Sequence, residues 1–121
     1  MSIYGNQRTI KVQGLVTLYE FKLYPKNTFF YDISGVYIFF RKNDNNNYTR
    51  IYIGETGSFK DRVNSDHESH NCCESRGYTH IAVLPVGGNR QNRLDIETDI
   101  RRYKRGLCNS QPDLLSVLRS R

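Results

Sequence analysis

Long apolar runs are missing from this chain, and cysteine is scarce. Since no stretch approaches the length that spans a bilayer, the composition excludes a membrane-spanning class. Residues 1–5 lack the basic start and apolar centre of a signal peptide, so a cytoplasmic protein is expected. Only three cysteines occur, Cys72, Cys73 and Cys108, and they form no obvious disulfide framework. This pattern favours thiols in a reducing compartment.

Acidic residues are in the minority. The 121 residues include 18 Lys and Arg against 12 Asp and Glu, which gives a net charge of +6. An excess of positive charge indicates a polyanionic partner such as nucleic acid. The length suits one domain with a modest core.

The most organised stretch lies between residues 35 and 54. Two apolar segments flank a loop rich in Asn and Asp, a pattern that predicts a β-hairpin. Alternation along the strands places Ile51 and Ile53 on one face and brings Tyr37 and Tyr52 together on the other. Gly54 lies on the tyrosine face and, lacking a side chain, is expected to leave room for a phosphate near the backbone.

Other apolar segments predict the remaining strands. Residues 35–40, 50–54 and 78–86 are expected to form a small three-stranded antiparallel sheet flanked by helices, an α/β (α+β) fold. An additional N-terminal strand near 15–24, ending at Pro25, is expected to pack on this sheet. The first dozen residues are polar and are expected to be loose.

Helix signals occur in the second half of the chain. Ser58 and Asp61 have the spacing of a capping box, which predicts a helix start. A second helix is expected over 92–104, with Gly106 marking its C-terminal stop. A third helix is expected near the C-terminus, over 111–121. The apolar stripe of the second helix consists of Ile96, Ile100, Tyr103 and Leu107.

Gly35-Val36-Tyr37 followed by Tyr52-Ile53-Gly54 resembles the signature of the GIY-YIG nucleases, with Val in place of the usual Ile. The similarity continues to Asn109 and covers residues 34–110 of a single domain. Residues 1–33 then form an N-terminal extension. The resemblance implies metal-dependent hydrolysis of a DNA phosphodiester on a small α/β domain.

The resemblance also implies roles for the residues of the motif. Tyr37 is the expected general base, or the group that orients the attacking water, and Tyr52 hydrogen-bonds the water or the phosphate. Arg62 is expected to hold phosphate oxygens through its planar fork, together with Lys60 and Gly54. Arg62, Lys60 and a bound metal are the cations expected to lower the pKa of Tyr37.

Glu97 is the expected metal ligand. One carboxylate completed by waters and phosphate oxygens suits Mg²⁺ or Mn²⁺. The alternative is an ordinary helical ion pair, because Arg93 and Arg101 each lie four residues away. Asn109 is interpreted either as a brace for the loops of the metal site or as a helix-capping amide.

The stretch after Arg62 departs from the family pattern. Asp66 stands where many members carry His or Tyr, and a slip of one residue would bring His67 to the site instead, with His70 as a further alternative. Four zinc ligands also fall within this stretch, but adjacent cysteines make tetrahedral ligation awkward. Buried or free thiols are therefore expected. The zinc-ligand set would be His67, His70, Cys72 and Cys73.

Three consecutive aromatic residues, Phe29, Phe30 and Tyr31, precede the first hairpin strand. Such a run is expected to pack in the core. Stacking of an exposed member on a nucleobase is the alternative interpretation.

Two functions are compatible with these patterns. The first is a DNA endonuclease that requires Mg²⁺ or Mn²⁺ and acts either as a homodimer or with a separate targeting partner, without an organic cofactor or a membrane. The second is a nucleic-acid-binding module that has the same fold and no catalysis.

Overall fold

Segments rich in β-branched and aromatic residues pair into one antiparallel sheet. The structure is a computed structural model that describes residues 8–109. Its strands are β1 (Arg8–Gln13), β2 (Leu18–Pro25), β3 (Gly35–Lys42), β4 (Tyr48–Thr56) and β5 (His80–Pro85). Its helices are α1 (Phe59–Arg62), α2 (His70–Ser75) and α3 (Arg90–Tyr103). The mixed α+β class is therefore confirmed, but the sheet has five strands and not three.

The strand order is β1-β2-β5-β3-β4. β3 lies between β5 and β4, and six consecutive residues from Gly35 to Phe40 are buried because both faces of this strand are covered. One face carries a core cluster that includes Tyr37 and Phe39, and the other carries a cluster that includes Ile38 and Ile100. β3 therefore divides the core into two layers.

The N-terminal region is more ordered than the sequence indicated. Arg8–Gln13 pairs with β2 along its whole length, and Val12 is buried in the core. β2 begins at Leu18 and not near residue 15, because residues 14–17 form a turn. The Asp99 carboxylate holds this turn by accepting hydrogen bonds from the backbone N–H groups of Val16 and Thr17. The prediction that the N-terminal strand packs on the sheet is confirmed, since β2 pairs with β5.

The predicted hairpin is formed by β3 and β4, with one irregularity. Tyr37 is opposite Gly54 and Phe39 is opposite Tyr52, whereas Phe40 is opposite Arg50. Ile51 is the extra residue of this bulge and packs on the face of Tyr37, away from Ile53. The expectation that both tyrosines share a face is confirmed, and the expectation that Ile51 and Ile53 share the other is wrong.

α1 begins as predicted, α2 was not predicted, and α3 begins at Arg90, two residues before the predicted start. Ser58 caps α1, where its Oγ accepts a hydrogen bond from the Asp61 N–H. α3 ends at Tyr103, before Gly106, and the chain then turns back toward β4. Tyr103 and Leu107 are consequently exposed, and only the Ile96 and Ile100 part of the predicted stripe packs inward.

Only Phe30 of the aromatic run at 29–31 packs against the protein, where it contacts the rings of Tyr24 and Phe59. Phe29 and Tyr31 are 97% and 81% exposed, so the expectation that the run is buried is wrong for both. The predicted C-terminal helix over 111–121 lies outside the described residues. Within residues 8–109, no helix has the length and apolar character needed to cross a bilayer.

Candidate active site

The two tyrosines of the motif lie side by side. Tyr37 on β3 and Tyr52 on β4 have ring centroids 6.1 Å apart, with the rings nearly parallel at 24°. Tyr37 is 1% exposed and Tyr52 is half-buried, so the pair forms a wall that opens to solvent on the side of Tyr52. Strand alternation alone is sufficient to produce this arrangement.

His67 belongs to this group of residues. It lies in the turn between α1 and α2, is 4% exposed, and places its Nε2 2.6 Å from the Tyr37 hydroxyl. The Ser69 backbone N–H donates to its Nδ1 at 2.9 Å, so neutral His67 carries its proton on Nε2 and donates it to Tyr37 Oη. The His67 ring also meets Tyr52 edge-on at 4.8 Å. The structure thus brings His67 to the site, whereas the neighbouring Asp66 is exposed.

Arg62 is the last residue of α1 and completes the cluster. Its guanidinium lies close enough to the Tyr37 hydroxyl to lower the pKa of that phenol. It also forms an ion pair with the carboxylate of Glu68. The fork that would hold a phosphate is therefore partly engaged by a carboxylate, a group with similar oxygen geometry. Sequence patterns gave no signal for Glu68 or Ser69, because only the fold of the turn after α1 brings them to the site.

The surroundings of the site favour the uncharged forms of Tyr37, Tyr52 and His67. Burial raises the pKa of Tyr37, and the nearby Tyr52 adds to this, while Arg62 opposes it. Burial also raises the pKa of Tyr52, and the charge of Glu68 contributes. Burial and then the Arg62 charge lower the pKa of His67 to about 4. At neutral pH both phenols keep their protons and His67 is uncharged.

Glu97 lies on α3 at the outer edge of β4, with a side chain that is 15% exposed. The backbone N–H of Glu55 donates to its carboxylate. Burial raises the pKa of Glu97, the charge of Glu55 contributes, and Arg101 opposes it. Glu97 is also close enough to Tyr52 for its charge to raise the pKa of that phenol.

The helical ion pair expected as the alternative role for Glu97 is weak. Arg101 Nη1 is 3.9 Å from the Glu97 carboxylate, at the limit of a salt bridge. Arg93 instead pairs with Glu55 at 3.0 Å, and both side chains are largely buried. The Glu97 carboxylate is therefore sheltered, with Arg101 at 3.9 Å as its ion-pair partner and the Arg90 charge also acting on it.

The side chains described above fit a hard divalent cation only if a single carboxylate is the protein ligand. Within the described residues, no group of three or more His, Cys, Asp or Glu side chains forms a closed site. Mg²⁺ keeps several waters and takes one or two carboxylates plus substrate phosphates, so a site with one protein carboxylate is compatible with this ion. A partly dehydrated carboxylate without a tight partner suits that role.

Asn109 braces the same strand edge. Its Oδ1 accepts from the Ile53 N–H at 2.9 Å and its Nδ2 donates to the Ile53 carbonyl at 2.9 Å. Its Oδ1 also accepts from the Gly106 N–H, and a Cβ at Gly106 would lie 2.6 Å from that oxygen. Asn109 thus joins Gly106 to the edge of β4, a contact with a strand and not with the loops that the first interpretation named.

The positions of Gly54 and Lys60 differ from expectation. The space over Gly54 is filled by the Tyr37 phenol, since a Cβ there would lie 2.5 Å from Tyr37 Oη. Gly54 therefore admits the tyrosine and not a phosphate. Lys60 is exposed on α1, and Arg62, not Lys60, is the cation that acts on the Tyr37 pKa.

The cysteines also differ from expectation. Cys72 on α2 and Cys108 after α3 form a disulfide, with Cα atoms 6.0 Å apart, and Cys73 is a buried free thiol. Spacing along the chain cannot reveal a pair that only the fold brings together. The cysteine pattern thus gives no support to a reducing compartment. Two of the four candidate zinc ligands are engaged elsewhere, because Cys72 is in the disulfide and His67 is hydrogen-bonded to Tyr37.

Comparisons with protein-family models, with curated proteins and with solved structures find no match to this chain. Function must therefore be argued from the geometry of the site and from the motif itself.

Proposed function

We propose that the protein is a divalent-metal-dependent DNA endonuclease with a GIY-YIG-type fold and active site. The observation that carries the proposal is the contact cluster of Tyr37, Tyr52, Arg62 and His67, with Glu97 at the edge of the same hairpin. Tyr37 and His67 are 30 positions apart in the chain and in contact in the fold, and Glu97 is near enough to Tyr52 for its charge to act on that phenol. Phenols, a guanidinium and a carboxylate are groups that can serve phosphodiester hydrolysis, which supports the proposal. The net charge of +6 supports a polyanionic substrate.

Each residue has a role that its contacts support. Arg62 binds a phosphate oxygen once it exchanges Glu68 for substrate, and Tyr52, on the solvent side, hydrogen-bonds the phosphate or the attacking water. Tyr37 orients that water, and it accepts the water's proton only as the phenolate, after its own proton has left to solvent. His67 donates to the Tyr37 oxygen and Arg62 lowers the Tyr37 pKa, and both effects stabilise the deprotonated form against the effect of burial.

Glu97 would hold the cation together with waters and phosphate oxygens. Bound there, Mg²⁺ or Mn²⁺ supplies charge stabilisation to the phosphate without proton transfer. Since both strands of a duplex must be cut for a double-strand break, one such site per chain implies either a homodimer or two sequential nicks. Recognition of the DNA by a separate targeting partner is compatible with either arrangement.

The experiment is nicking of supercoiled plasmid by purified protein with Mg²⁺ or Mn²⁺. Glu97→Ala should reduce the rate by at least about 100-fold, since a preorganised electrostatic group typically contributes a factor of that order. Asp95→Ala is the matched control, because Asp95 is an exposed carboxylate on the same helix. It should retain wild-type nicking. Full activity of folded Glu97→Ala would refute the assignment of Glu97.

The second candidate is a nucleic-acid-binding module without catalysis. Two observations favour it: Tyr37 is almost fully buried, and Glu68 already engages Arg62. Salt-dependent DNA binding, with no cleavage on linear, supercoiled, branched or single-stranded DNA with either metal, would establish this alternative.

A further inference from the structure

A cavity of about 190 Å³ lies beside the proposed active site. Its floor is formed by buried aromatic and aliphatic side chains from the sheet, Phe39, Tyr78 and Ile81. Phe39 and Tyr78 are stacked with centroids 5.0 Å apart. Phe29 stands at the rim and is 97% exposed.

The cavity adjoins the catalytic cluster. Phe39 lines it and also contacts the His67 ring at 5.2 Å. Val63, another lining residue, directly follows Arg62 in the chain. A phosphate held by Arg62 would therefore have its own nucleoside, or that of a neighbour, within reach of the cavity.

The size of the cavity limits what can enter. Pockets that enclose whole small ligands measure about 300–1,000 Å³, so a cavity smaller than this accepts one ring system attached to a larger molecule. The apolar floor suits the face of a planar ring. The rim supplies the Ser65 hydroxyl for a ring edge, whereas the Asn64 amide is engaged by backbone groups of its own turn.

The surrounding charge and the exposed aromatic indicate that the larger molecule is a nucleic acid. Lys26 Nζ lies 4.7 Å from the centre of the Tyr78 ring and forms an ion pair with Glu74. Arg62 precedes the lining residue Val63 in the chain. A fully exposed phenylalanine gains nothing from folding, whereas any base can stack on its face. Phosphates beside the cations and a base against the aromatics would satisfy both features.

We propose that this cavity, the base pocket, binds one unstacked nucleobase adjacent to the phosphate that is cut. The inference rests on the proposed function and specifies its substrate as DNA with an unpaired base, in a bulge, flap or single strand. Phe29 covers the bound base, and Phe39 and Tyr78 form the floor beneath it. Extruding a base costs least where it is already unpaired, which is the source of the preference.

The test measures binding of the wild-type chain in EDTA, where cleavage cannot interfere. Two labelled duplexes are compared by fluorescence anisotropy: one carries a single extrahelical adenine, and the other carries an abasic residue at the same place. The wild type should bind the adenine duplex about tenfold more tightly, a typical effect of one stacked base. Phe29→Ala should bind both duplexes equally.

Tyr31→Ala is the matched control, because Tyr31 is an exposed aromatic two residues away that does not line the pocket. It should keep the adenine preference. Ser65→Trp, which fills the pocket from an exposed position, should lose the preference. Equal binding of both duplexes by the wild type, or the same loss in Tyr31→Ala as in Phe29→Ala, would overturn the base pocket.

Plasmid nicking by the same preparation separates the two proposals. Nicking without an adenine preference refutes the base pocket alone. An adenine preference without nicking on any DNA supports binding of an unpaired base in the cavity, but refutes the endonuclease and with it the placement of that base beside a cut phosphate.

Discussion

At the scale of single residues, the Tyr37 phenol is under two opposing influences. Burial favours its neutral form, while the charge of Arg62 and the N–H donor of His67 favour the phenolate. Alternation along the strands was enough to predict that Tyr37 and Tyr52 meet. The position of His67 could not be predicted, because it depends on a turn that no sequence pattern defines. No sequence pattern indicated that Glu68 lies at the site.

Substitution of Glu68 tests whether its carboxylate competes with DNA phosphate for the Arg62 guanidinium. Because its carboxylate engages the guanidinium that would bind phosphate, Glu68→Gln should raise the affinity for DNA several-fold. Stability should change by less than about 0.5 kcal/mol, since the pair is partly exposed. The measurement is a DNA titration at fixed salt. Glu20→Gln, which removes the same charge from another exposed pair, should have a smaller effect.

The lowered pKa of His67 predicts how the free energy of unfolding depends on pH. Its pKa is lowered to about 4 in the folded chain, so between pH 6.5 and 4 only the unfolded chain binds this proton. The free energy of unfolding should therefore fall as the pH is lowered through this range, by at most about 3 kcal/mol from His67.

Urea unfolding at several pH values measures this effect. In His67→Gln the pH dependence should become shallower by that amount, whereas His80→Gln, which leaves His67 in place, should largely retain it. An unchanged slope in His67→Gln would show that His67 is not buried in its neutral form.

At the scale of elements, the strands of the hairpin were predictable because their apolar content is high. β1 was not, because its polar residues outnumber the Ile10 and Val12 that pack inward. The apolar spacing of α3 continues in the sequence as far as Leu107, but the helix itself ends at Tyr103. Arg50 donates to the Ile100 and Lys104 carbonyls at the end of α3, and the chain then leaves the helical path.

Asn109 tests the brace on β4. Asn109→Ala would leave the N–H and the carbonyl of Ile53 without partners in a buried environment. The expected loss of stability is about 3 kcal/mol, because unsatisfied backbone groups cost about 1–3 kcal/mol each. Denaturant unfolding measures it, with exposed Asn71→Ala as the control, where a change within about 0.5 kcal/mol is expected. Equal stability of both variants would contradict the brace.

At the scale of the whole molecule, the order of the strands and the disulfide were beyond the reach of sequence patterns. β2 inserts beside β5, which is about 60 residues away in the chain, and no local signal specifies such a pairing. The Cys72–Cys108 bond likewise joins α2 to the segment that follows α3.

The disulfide predicts a dependence of stability on reductant. It closes a loop with a sequence separation of 36 residues. In the chain-entropy account, such a loop contributes about 4 kcal/mol. The urea midpoint of the wild type should therefore fall on reduction, while that of the double variant Cys72→Ser/Cys108→Ser should not respond. If the urea midpoint of the wild type did not change on reduction, the disulfide would not be present in the protein.

The outer edge of β4 is already occupied by the chain itself. Leu107 and Cys108 donate to the Arg50 and Ile51 carbonyls, and Asn109 takes both backbone groups of Ile53. A second molecule cannot add a strand there, so within residues 8–109 any dimer that continues the sheet must join at β1. Two copies joined in that way would hold their tyrosine clusters at opposite ends of a ten-stranded sheet, an arrangement suited to separate nicks rather than to paired cuts.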